Sequence, residues 1–160
     1  MEEKHYKIRK DRSIKLGGRT LYRIEALKDL PQYGVKKGDI GGYVESYDNL
    51  SGEAWVDGDA KVYGSARVFD NALVRVNAQV YEDAQVFGNS RVYGEALVFG
   101  NSRVFGDARV FTTAQVFDNA KVFDNAVVFE CARVCGEAQV CGDSQLCGFS
   151  RVCGCPRVYK

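Results

Sequence analysis

The chain has 160 residues with 22 Lys and Arg against 21 Asp and Glu, a formal charge of +1 that argues against a strongly basic nucleic-acid binder and leaves a single domain as the expectation. With 46% hydrophobic and 27% charged residues the composition is that of a globular protein, and no apolar run approaches the ~20 residues that cross a bilayer. Met1-Glu2-Glu3-Lys4-His5 lacks the apolar core of a secretory signal, so the expectation is a cytoplasmic protein without a membrane partner.

Residues 1–49 carry no period and read as a β-rich cap. Ser13 to Ile24 alternates around Gly17-Gly18 and predicts a β-hairpin, with Tyr6-Lys7-Ile8-Arg9 as a separate third strand. Pro31-Gln32-Tyr33-Gly34 predicts a turn, and Gly38 to Val44 leads into the periodic part of the chain. The single histidine, His5, falls where fraying is expected and reads as a surface residue.

Residues 50–160 are periodic. Eighteen six-residue units fill Leu50 to Arg157; the first position is Val sixteen times and Leu twice, and the fifth is Ala thirteen times, Ser four times and Pro once, at Pro156. Such columns require a structure that admits one medium aliphatic and one small residue every six. In a stretch such as Ala-x-Val-Phe, Ala and Val share the inner face of a strand, and the residues between them point outward. Positions three and four, rich in Gly, Asp and Asn, suit tight corners. Three units then close a triangular coil of 18 residues, and six coils stacked at ~4.8 Å make a prism roughly 29 Å long.

These columns resemble the hexapeptide-repeat family of left-handed parallel β-helices, with an aliphatic first and a small fifth position. The resemblance covers about two thirds of the chain and implies an all-β fold, a left-handed β-helix of about six coils behind an N-terminal hairpin cap. It departs at the second position, where the family favours small or acidic residues and this chain has rings, among them Tyr63, Phe69, Phe87, Phe105 and Phe123. The segments Gly18 to Ile24, Lys37 to Val44 and Asn49-Leu50-Ser51 are similar to a preamble on small phage and prophage members, which implies such an origin. The family's acyltransferases use a catalytic His on acyl-CoA, and its carbonic anhydrases hold zinc with three; one His is too few for the second.

The six cysteines fall between Cys131 and Cys155 and, without an export signal, read as reduced thiols. Cys135, Cys141, Cys147 and Cys153 take second positions, outward on three faces. Only Cys135 and Cys153 should stack directly, which is too dispersed for a metal site. No cofactor is expected. From Gly52 onward, nine of 11 bases occupy the sixth position on flat faces, and 12 of 13 acids occupy corners. One face carries Arg67, Arg103 and Lys121 beside Phe87, Phe105 and Phe123, and these six are the candidate partner-binding residues; the alternative is that each cation lies over a ring of its own coil. Acidic corners beside every basic stripe disfavour nucleic acid. Trp55, Leu73 and Val127 mark the most apolar face and the expected interface of a homo-oligomer, a trimer or an end-to-end dimer.

The functional expectation is a non-catalytic, rigid interaction protein that binds a host or phage protein through its long faces, such as an inhibitor of a host defence or regulatory protein. The alternatives are a divergent acyl-CoA-dependent acyltransferase and an oligomeric sponge for a small anionic ligand or nucleotide.

Overall fold

The computed structural model describes residues 3–160. The predicted hairpin is present: β1 (Tyr6–Leu16) and β2 (Arg19–Ala26) run antiparallel, turning at Gly17 and Gly18, whose φ values of 52° and 80° a primed two-residue turn requires. Tyr6 to Arg9 is not a separate strand. It is the start of β1, and a register shift between Arg9 and Ser13 marks the irregularity that made it look detached. Pro31–Tyr33 forms one turn of 3-10 helix that ends at Gly34 in the left-handed region. β3 (Ile40–Val44) then pairs antiparallel with β2 on one edge and parallel with Lys61–Val62 on the other. The cap is therefore the first part of one solenoid sheet.

Among the described residues, eighteen short strands come after it, from Trp55–Val56 to Arg157–Tyr159, one every six residues. They form the three parallel sheets of a β-solenoid of about six coils, one sheet extended by β1, β2 and β3 to nine strands and the other two of six. Partners lie 18 residues apart, as in Arg91 with Arg109 and Arg103 with Lys121. The sheet arrangement is consistent with the left-handed sense that the repeat implies.

Each unit does three things. Its first and fifth residues fill the core: the first-position side chains from Leu50 to Val140 and the alanines from Ala54 to Ala138 are fully buried. Serine fits the fifth position because Ser90 Oγ donates to the carbonyl of Phe87 at 2.7 Å and Ser102 Oγ to that of Phe99 at 2.7 Å. The amides of positions two, four and six bond the next coil, as Phe87 to Val104, Asn89 to Gly106 and Arg91 to Ala108 at 3.0, 2.8 and 3.0 Å. The third residue turns the corner. All eighteen third positions have positive φ; eleven are glycine, and the rest are Asp70, Val76, Glu82, Thr112, Asp118, Asp124 and Glu130.

The cap covers the first coil closely. Tyr6, Leu21, Ile24 and Leu30 are buried, and Gly41 and Gly42 cross so near the core that a Cβ at Gly41 would stand 2.6 Å from Trp55 Cζ2 and one at Gly42 2.7 Å from Val56 Cγ1. His5, expected on a frayed surface, lies inside this contact. Its Nε2 is 2.7 Å from the Ala54 carbonyl oxygen, and its ring packs near Tyr6 and Trp55. At the other end, the inward Leu146, Val152 and Val158 are only partly buried, and Phe149 is 91% exposed.

The cysteines depart from expectation twice. Cys135 and Cys153 do stack directly, with Cα atoms 4.5 Å apart, but they are joined as a disulfide instead of standing as free thiols, because in-register stacking puts the two side chains within bonding range. Cys141 does not face outward freely: it is buried by the last strand, with Sγ 3.6 Å from the Val158 carbonyl and 3.5 Å from Arg157 Nε.

Val76 holds a β-branched side chain at φ 68°, where L residues cost roughly 1–2 kcal/mol. Val76→Asn should raise stability by about 1 kcal/mol, read as a higher denaturant midpoint. Burial, the largest influence, holds the His5 imidazole below its ordinary value near 6.5, outweighing the bond to Ala54. The unfolded chain takes up a proton there before the folded chain does, so His5's contribution is full above about pH 6.5 and is lost as the pH falls through the lower folded value. Fluorescence of Trp55, the single tryptophan, should report weaker docking of the cap as the pH falls below about 6.5, and His5→Gln should flatten that dependence.

Candidate functional site

The parallel register places the sixth position of every unit on a flat face and the second beside it. On one sheet this aligns Arg67, Gln85, Arg103, Lys121, Gln139 and Arg157. Next to them Phe69, Phe87, Phe105 and Phe123 form a ladder with centroids 4.7, 5.0 and 4.9 Å apart and planes within 4°. The six candidate residues Arg67, Phe87, Arg103, Phe105, Lys121 and Phe123 are thus brought onto one face. Two further ladders run from Tyr63 to Phe117 and from Tyr93 to Phe129. The rings stack on one another and remain half-exposed along their outer edges.

The corner acids have a local task. A third-position amide points away from the next coil and takes no part in the inter-coil bonds. Wherever a carboxylate occupies that position, it accepts from the glycine amide one coil later: Asp70 from Gly88 at 3.1 Å, Glu82 from Gly100 at 2.7 Å, Asp118 from Gly136 at 3.0 Å, Asp124 from Gly142 at 3.0 Å, and Glu130 from Gly148. At the fourth position, Asn71 and Asn89 side chains donate upward in the same way, Asn89 Nδ2 to Asp107 Oδ1 at 3.2 Å. These acids satisfy backbone and side-chain amides within the corners; they do not neutralise the flat faces.

Most cations of the flat faces, Arg67, Arg91, Arg103, Arg109, Lys121 and Arg133, consequently have no side-chain partner among the described residues; Lys61 bonds the Asp59 carbonyl, and Arg151 and Arg157 donate to Cys153 and Cys141. Among the described residues every ion pair uses a base of the cap, namely Lys7, Arg9, Arg19, Arg23 or Lys28. Cation–ring contacts are likewise confined to Lys4, Arg23 and Lys61, so Arg67, Arg103 and Lys121 do not lie over the rings beside them. Arg103 and Lys121 sit directly opposite each other in register, which is unfavourable for like charges.

The third face differs from its expectation. Trp55, Leu73 and Val127 do share one outward column, with Arg91 and Arg109 between them. Trp55 is 0% and Leu73 6% exposed, because the cap folds over the first coils, so the apolar surface shrinks to half-buried Val127. What this face presents instead is Arg91 over Arg109, with exposed Arg75 alongside. Spacing the sequence at 18 residues shows the Arg91–Arg109 pair; the burial of its apolar neighbours depends on the cap and has no local signal.

His5 is enclosed by the cap, 4% exposed, with its Nε2 against the Ala54 carbonyl. No profile of a known protein family and no curated protein matches the chain. No helix among the described residues is long and apolar enough to cross a membrane.

Asp118→Ala should remove the carboxylate that holds the Gly136 amide and lower stability by roughly 0.5–1.5 kcal/mol, whereas Asp118→Asn, which retains an acceptor and tolerates the corner conformation, should cost less. Denaturant titration of both variants reads the difference.

Proposed function

We propose that the protein is a non-catalytic, rigid β-helix of the hexapeptide-repeat kind, of phage or prophage origin, that acts in the host cytoplasm by presenting a long face to a protein partner. The observation that supports this reading is the pair Arg103 and Lys121: in register, without an ion pair, and beside the half-exposed edges of Phe105 and Phe123. A partner that set carboxylates against the two cations would relieve their mutual repulsion, and its apolar side chains would cover the ring edges. A solenoid contributes little conformational entropy cost to such an interface, because its side chains are already held in columns.

A host defence or regulatory protein with an acidic surface is the partner this reading favours. Its oligomeric form, a trimer or an end-to-end dimer, is a further part of the proposal.

Affinity capture from host extract, followed by measurement with the purified partner, tests the choice of face. Arg103→Glu with Lys121→Glu should weaken binding at least about a hundredfold, since charge pairs of this kind couple by several kcal/mol, while Arg133→Glu on another sheet should change it little. Unchanged affinity in the double variant would assign the partner to a different face.

A further inference from the structure

Three pairs of like charges stand in register on the solenoid, one on each sheet: Arg103 with Lys121, Arg133 with Arg151, and Arg91 with Arg109. The last lines a cleft together with a third arginine and a ring that carries a stacked aromatic on one face. Leu73, Arg75, Val76, Arg91, Tyr93 and Arg109 enclose about 310 Å³. The guanidinium groups of Arg75, Arg91 and Arg109 make neither an ion pair nor a hydrogen bond among the described residues. The acids bordering the adjoining basin are already engaged: Asp107 accepts from Asn89 at 3.2 Å, and Glu53 is held by Lys28 at 2.6 Å and Gln32 at 3.3 Å.

Tyr93 begins its ladder. Phe111 stacks on one face at 4.8 Å, and the residue one coil earlier in the same column is Arg75, which does not lie over the ring. The other two arrangements lack this combination. Beside Arg103 and Lys121 the ladder is filled by Phe105 and Phe123, and beside Arg133 and Arg151 the column holds the Cys135–Cys153 disulfide.

We propose that the cleft of Arg75, Arg91, Arg109 and Tyr93 binds a small nucleotide, with its phosphate between the stacked arginines and its base on the ring of Tyr93. A phosphate converts the repulsion of Arg91 and Arg109 into two charge-assisted contacts, and the base lies on the Tyr93 face turned away from Phe111, beside the Arg75 side chain that lines the same cleft. The volume suits a ligand of that size. This site is on a different sheet from the protein-binding face and stands independently of it.

Calorimetry with AMP and inorganic pyrophosphate as separate probes tests the assignment. The wild-type chain should bind both, and Arg91→Gln with Arg109→Gln should weaken both at least about tenfold. Tyr93→Leu should weaken AMP by a similar factor while leaving pyrophosphate within about twofold, because stacking acts only on the base. Without ligand, the double variant should melt no lower than wild type, as it loses a repulsion and no bond; this separates loss of binding from loss of fold. The proposal is overturned if wild type binds neither probe, if the double variant binds AMP as wild type does, or if Tyr93→Leu leaves AMP affinity unchanged. Preference for a single-stranded oligonucleotide over AMP would overturn it too, and assign the arginines to nucleic acid.

Discussion

The interior of the prism is the constraint on which everything else rests. Each side of the triangle has room for one Val-sized and one Ala-sized side chain, so a chain that meets this demand eighteen times is forced into one register, and every outward column is set by it. A one-residue slip would turn the valines outward and the charged sixth positions inward. Because the register is so firmly set, the surface is unusually free: the sixth and second positions fill no part of the core and can carry whatever the molecule uses.

That freedom changes the meaning of the near-zero net charge. Bases and acids nearly balance in number yet do not meet. The carboxylates at Asp70, Glu82, Asp118, Asp124 and Glu130 bind corner amides that the coil geometry leaves over, while among the described residues no arginine of the flat faces makes an ion pair. Aromatic ladders between them add width and stiffness, since each ring covers the next, but their outer edges stay accessible. Like charges held in register are a standing cost, and a surface that keeps three such pairs is suited to anionic groups brought from outside.

The solenoid was legible because its information is periodic: the core columns, the corners, the stacking of Phe87 on Phe105 and the alignment of Arg103 with Lys121 can all be read by counting. The misreadings cluster where that period gives way. His5 and Trp55 looked exposed because their burial depends on β2 and β3 folding back over the first coil, a contact across tens of residues with no repeat to announce it. Tyr6 to Arg9 looked like a strand of its own because an irregularity interrupts β1. The 18-residue period stacks Cys135 on Cys153, but their joining as a disulfide follows from the proximity of the two side chains and has no signal in the compartment that the N-terminus suggests. The cleft at Arg75 and Tyr93 has no local signal, because in sequence its face is dominated by apolar residues that only the folded cap conceals.

The continuity of the cap with the sheet also bears on how the chain reaches its fold. The hairpin of β1 and β2 closes locally, and β3 turns its free edge into a parallel one that Lys61–Val62 can join. Each later strand finds a partner only 18 residues behind it, so the long-range pairing that slows most β proteins is divided into equal short steps. The cap supplies the first edge of one sheet, the other two begin with Trp55–Val56 and Arg67–Val68, and each coil can pair as soon as the one before it is in place.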